Sequence, residues 1–232
     1  RQMCIRDSYY FKWRLNMKKL FNISNLKRFL VLIILFSIYV FICAFSYVNA
    51  VSANISSSVF RLHVIANSDS AEDQNLKYLV RDALIDYMNS VSKNSNSKDE
   101  AISIAYQHKS DFYKIAKKVI NDNGYDYNVN ISIGNFTFPT KNYGDISLPA
   151  GYYDALKVEI GNASGQNWWC VMFPPLCFVD ISTGIVPEDS KETIKDSLHT
   201  EEYNLINNAQ TADVKFKFKL LEFFQNIKLA NN

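Results

Sequence analysis

Four cysteines, three histidines and one tight acidic cluster are the residues here whose types could support chemistry. Cys4 and Cys43 lie in the first fifty residues, which leaves Cys170 and Cys177 as the pair in the rest of the chain. On the oxidising side of a membrane such a pair can close a short-loop disulfide; in a poorly oxidising setting it remains two buried thiols, and both readings stand. As a nucleophile, Cys170 would need a base, an orienting group and an oxyanion hole, and nothing around His63, His108 or His199 supplies them. No two Cys or His residues fall at zinc-ligand spacing. Asp69, Glu72 and Asp73 could bind a cation or act as a carboxylate pair, yet their place at a helix start accounts for them. No phosphate loop, nucleophile elbow or paired-carboxylate motif occurs elsewhere. The expectation is a protein with no catalytic residues, no metal and no cofactor.

Trp168-Trp169 points to binding instead. Adjacent side chains on a strand face opposite ways, so one indole is directed to the core and the other to the far face. An outward Trp beside Pro174-Pro175 and Phe178 would make an interface anchor. The alternative is that helices cover both faces of the sheet, or that the second indole packs under the loop at 138–151. The partner-binding candidates are Trp168, Trp169, Phe173, Pro174 and Pro175, joined by Lys141, Tyr143 and Tyr152 from or beside that loop. Arg61, His63, Asn67, Asp69 and Asp73 are candidates for holding the first strand, turn and helix together.

The elements that must position these residues follow from periodicity. Val59 to Ala66 alternates as a strand. Ser70 with Asp73 resembles a capping box opening a helix from about 71 to 92, and Ser97 with Glu100 opens a second that Asn123-Gly124 ends. Tyr125 to Ile133 alternates as a half-buried antiparallel strand. A Pro- and Gly-marked loop, 138–151, leads to strands around 153–160 and 167–173, read as a hairpin across the turn at 161–165. Short helices follow at 188–198 and 201–207, and 214–224 is ambiguous between strand and helix, with helix preferred. The order predicts an α+β fold: a mostly antiparallel sheet with helices packed on one face, an N-terminal membrane-targeting helix and C-terminal helices.

Phe29 to Ala50 is apolar, and no charge interrupts the chain between Arg28 and Arg61. Lys18, Lys19, Lys27 and Arg28 precede it, which keeps the N-terminus in the cytoplasm and sends the rest across. The run is long enough to span a bilayer, and Val48-Asn49-Ala50 and Val51-Ser52-Ala53 both suit a signal peptidase, so an anchor and a cleaved signal both stand. Residues 1–16 read as a non-native upstream extension, 17–53 as the leader, 54–187 as a signalling domain and 188–232 as a helical C-terminal segment. Eight of the 25 basic residues but one of the 23 acidic ones precede Val51, so the remainder carries 17 against 22, a net charge of −5. That balance argues against nucleic acid as a partner.

RLHVIANSDS (Arg61 to Ser70) with Glu72-Asp73-Gln74, Leu76-Lys77 and Val80-Arg81-Asp82 resembles the opening signature of the stage II sporulation protein R family. FPTKNYG (138–144), LPAGYY (148–153) and GQNWWCVMFPPLCF (165–178) resemble its remaining blocks, in the same order. The resemblance implies a signal made in the forespore and exported into the space between the septal membranes. There it would activate a membrane-embedded aspartic-type protease of the mother cell, which removes the pro-sequence of the early mother-cell sigma factor. It offers no catalytic residues to carry over. Two competing readings are an exported cell-wall hydrolase, with Asp69, Glu72 or Asp73 and the 138–151 loop around a cleft, and an anchored structural protein of the septum. A raised carboxyl pKa in a deep groove would favour the hydrolase.

Overall fold

A computed structural model of the chain describes residues 23–93, 95–177, 186 and 188–207. The chain divides into two compact units, residues 1–49 and 50–232. The helix α1 (Ile23–Ser58) runs through the boundary, and in its first half Leu26 to Ile42 leave their large apolar side chains exposed. It is long and apolar enough to cross a membrane, as an anchor or a signal sequence alike. Its last two turns belong to the second unit. Val51 and Ile55 are buried there, and Asn54 Nδ2 donates to Glu202 Oε1 at 2.6 Å. A cut after Ala50 would leave these contacts in place, whereas one after Ala53 would remove the buried Val51 and Ser52.

The second unit is α+β. Its elements are β1 (Phe60–Ile65), α2 (Ala71–Val91), α3 (Lys98–Gln107), α4 (Lys109–Asp122), β2 (Val129–Phe138), β3 (Lys141–Tyr143), β4 (Ile146–Leu148), β5 (Gly151–Ile160), β6 (Asn167–Phe173), α5 (Glu188–Ser197) and α6 (Thr200–Asn207). The main sheet has the order β2-β5-β1-β6, with β1 parallel to β5 and the other two pairings antiparallel. One face, carrying Leu62, Val64, Ile131, Leu156, Val158 and Cys170, packs against α2, α3 and α4 through Leu76, Leu84, Ala105, Phe112 and Ile120. The β3–β4 hairpin lies on the other face, and α6 packs on β4.

Several sequence expectations are corrected. β5 and β6 are not a hairpin, because β1 lies between them. All six residues of β1 are buried, and a strand buried on both faces takes the centre of a sheet. The 161–165 turn therefore crosses the end of β1, where Ser164 N–H and Gly165 N–H donate to the carbonyls of Asn67 and Ala66. A Cβ at Gly165 would run into the Ser68 carbonyl, and one at Gly161, whose φ is +56°, into the Asn67 side chain. The second predicted helix is broken at His108, whose ring lies 2.8 Å from the Tyr87 hydroxyl. The strand expected at 125–133 is shifted to 129–138, and the expected loop after it holds the β3–β4 hairpin. Ser70 caps α2 by accepting from Asp73 N–H, but the Asp73 carboxylate does not return the bond; it accepts from Asn67 and Ser68. The helix preferred for 214–224 lies outside the described residues.

Cys170 and Cys177 are joined by a disulfide, with Cα atoms 5.3 Å apart. In the loop-entropy account a ring this short stabilises by about 2.5 kcal/mol. Reduction, or Cys177→Ala, is expected to lower the unfolding free energy by that amount in a urea titration. An unchanged midpoint would mean that the bond constrains nothing.

Candidate partner-binding face

In β1, FRLHVI, alternation places Arg61 and His63 together on the face away from α2–α4. The pairing register fixes their neighbours. Arg61 sits opposite Ala155 and Val171, and His63 opposite Lys157 and Trp169. Phe138 ends β2, Tyr153 lies on β5, and the β3–β4 hairpin supplies Lys141 and Tyr143.

Arg61 is fully buried, and its guanidinium carbon lies 4.1 Å from the Phe138 ring centroid, 4.6 Å from Tyr153 and 5.8 Å from Tyr143. Its Nη2 donates to the Tyr143 hydroxyl at 2.6 Å, which donates in turn to the Trp169 carbonyl at 3.2 Å. The Tyr153 hydroxyl donates to the Pro149 carbonyl at 2.7 Å. No carboxylate pairs with Arg61 among the described residues, so the aromatic faces carry the stabilisation of its charge, at up to about 2 kcal/mol per desolvated ring. Burial pushes the Tyr143 and Tyr153 hydroxyls up in pKa, with Arg61 pulling the other way. The cage ties β1, β2, β5, β6 and the hairpin together.

Trp169 lies on the outer side of this cage. It stacks on His63 with centroids 5.6 Å apart and planes 18° apart, and Lys141 Nζ stands 4.4 Å from its ring centroid. The indole and Lys141 are both half-buried. His63 Nε2–H donates to Asn167 Oδ1 at 2.7 Å, the tautomer that the bond requires. Burial lowers the His63 pKa below its usual 6.5, against the opposing pull of Asn167. The unfolded chain therefore binds a proton that the folded one resists, and stability falls as pH drops below about 6.5 towards the folded pKa. His63→Gln is expected to remove that segment of the stability-against-pH curve, measured by thermal unfolding between pH 7.5 and 5. A wild-type curve that stays flat there would contradict the assignment.

The eight predicted partner-binding residues do not form one surface. Trp169, Lys141 and Tyr143 meet on the face just described. Trp168 points to the opposite face, edge-on to Tyr78 at 5.4 Å with Arg81 4.4 Å from its ring, against the helical core. Tyr152 shares that direction by strand alternation. Phe173 and Pro174 are buried, and Pro175 is exposed beside an open groove of about 870 Å³ lined with Ser57, Ser95, Lys98, Asp189 and Glu192. Phe138 and Tyr153 lie outside the eight expected contact residues, and Arg61 and His63, expected to hold the first strand and turn, also line this face. The signal was there, since Arg61 and His63 interrupt an otherwise apolar strand on one parity.

Asn67, Asp69 and Asp73 hold the turn, as expected. Asn67 Oδ1 accepts Asn162 N–H at 2.9 Å, Asp69 Oδ1 accepts Gln166 N–H at 2.7 Å, and Asp73 accepts from Asn67 Nδ2 at 2.8 Å and from Ser68 Oγ at 2.5 Å. Burial alone would raise the Asp73 carboxyl, but these hydrogen bonds hold it below the ordinary range. Asp111, Asp126, Asp145, Asp154 and Glu159 are lowered as well, the reverse of what a glycosidase acid needs. Among the described residues no cluster of three His, Cys, Asp or Glu side chains could hold a metal ion.

A family model described as stage II sporulation protein R matches residues 56–183. The curated protein "Stage II sporulation protein R" of Bacillus subtilis (strain 168) is 38% identical over 143 residues, covering 61% of this chain and 64% of that protein. The match thus spans somewhat less than two thirds of the relative. No solved structure matches.

Proposed function

Since this chain belongs to the stage II sporulation protein R family and so has a role in sporulation, we propose that it is an exported signal that works by binding. Its receptor is a membrane-embedded aspartic-type protease of the mother cell, and its action is to switch on processing of the early mother-cell pro-sigma factor. The apolar part of α1 carries the body from the forespore into the septal intermembrane space, as an anchor or as a leader that is removed.

The observation that carries the binding reading is the Trp169–Lys141–Tyr143 face. A half-exposed indole, backed by His63 and held on a cage that fixes the hairpin, is a preorganised anchor, and such aromatic groups dominate binding energy at interfaces. Direct contact is tested by co-purifying the full chain with the tagged protease from detergent-solubilised membranes. Retention of the chain by the protease, and its loss when the tagged bait is an unrelated membrane protein, is the expected result. No retention above that control would remove the receptor reading.

A further inference from the structure

The open groove of about 870 Å³ beside Pro175 lies between the C-terminal end of α1, the α2–α3 connection, the end of β6 and α5. Its apolar lining and its charges come from different elements. Met172, Phe173, Pro174 and Pro175 line it from β6 and the residues after it, whereas Asp189, Glu192 and Asp196 line it from α5 and Asp99 from α3. On a helix the spacing 189, 192, 196 sets three of these acids in one row, about 10 Å long. All four are exposed, and none forms an ion pair among the described residues. Of the two lysines in the lining, Lys98 is paired with Asp154 at 2.6 Å, which leaves Lys93 against four acids. A groove of this balance suits a basic occupant with apolar side chains between its charges.

The chain has such a segment beyond α6, outside the described residues: VKFKFK, 214–219. Read as extended, it sets Val214, Phe216 and Phe218 on one side and Lys215, Lys217 and Lys219 on the other, in a row about 13 Å long; read as a helix, Lys217 leaves the row. We propose that the groove takes 214–219 in extended form, with the lysines along the α5 acids and the apolar side chains against Phe173, Pro174 and Pro175. The tether allows it. A smaller cavity lined by Asn54, His199 and Glu202 shares Ser57, Asp196 and Ser197 with the groove, so α6 starts beside it. From the end of α6 at Asn207 the chain to Val214 can reach up to about 23 Å, more than the roughly 8 Å of helix between Glu202 and Asn207. So short a tether presents the segment at about millimolar concentration, and a contact with a dissociation constant of about 0.1 mM then keeps it bound roughly nine-tenths of the time.

Hydrogen exchange of the full chain in detergent, read by mass spectrometry on the peptides covering 214–219, tests this independently of the protease reading. Amides there are expected to exchange about tenfold more slowly than in a synthetic peptide of residues 208–232. Glu192→Lys with Asp196→Lys, both exposed on α5, is expected to remove that protection, as is Lys215→Glu with Lys217→Glu. The four changes together restore the charge match and are expected to restore the protection. If the reversed α5 unfolds, Glu192→Gln with Asp196→Asn is read in its place. Wild-type exchange as fast as in the peptide, or protection that survives the changes in α5, overturns the proposal.

Discussion

Arg61→Ala is expected to lower the unfolding free energy by about 3–5 kcal/mol, the range for truncating a large, fully buried side chain. The residue is enclosed by Phe138, Tyr143 and Tyr153, and its bond to the Tyr143 hydroxyl ties the hairpin to β1. Truncation leaves a void under three rings and frees the hairpin that carries Lys141. Since small domains are stable by only about 5–15 kcal/mol, the loss is a large share of the total. Arg61→Met separates volume from charge: replacing a buried unpaired ion by an apolar group of similar length costs less, because the desolvation penalty goes with it. Chemical denaturation of both variants checks this. Equal large losses would place the stabilisation in the charge itself, and negligible losses in both would mean that the cage does not hold the fold.

Trp169→Ala is expected to weaken receptor binding by about 30-fold or more, the effect of truncating a central aromatic anchor by 2 kcal/mol. Trp168→Ala is the matched control. Its indole lies on the opposite face against Tyr78 and Arg81, so its loss should fall on stability and leave affinity per folded molecule near wild type. Titrating the detergent-solubilised protease with each full-length variant reads the difference. Equal affinity losses in the two would place the contact surface elsewhere.

What could be read in the sequence was what depends on local pattern. The caps at Ser70 and Ser97, the strands of alternating residues and the long apolar N-terminal helix are all written within a few neighbouring side chains, and the structure has them. Pairing order was not legible. A five-residue turn between two strands reads as a hairpin, and only the burial of all six β1 residues shows that β1 must come between them. The candidate face was legible in part. Strand parity correctly separated Trp168 from Trp169, and the alternative that the second indole packs near the 138–151 loop is close to what is found, since Tyr143 and Lys141 both reach it. Arg61 could not be placed in that face from its neighbours in sequence. Its partners Phe138, Tyr143 and Tyr153 are more than seventy residues away, and the β2–β5 register with the hairpin brings them together.

The most direct test of the signalling account is processing in a host that does not sporulate. The exported full-length chain is produced with the membrane protease and its pro-sigma substrate, against a sample lacking the chain and one carrying Trp169→Ala at matched folded levels. Cleavage that requires the chain and is lost with Trp169→Ala is the predicted result. Cleavage at the same rate without the chain would contradict the account.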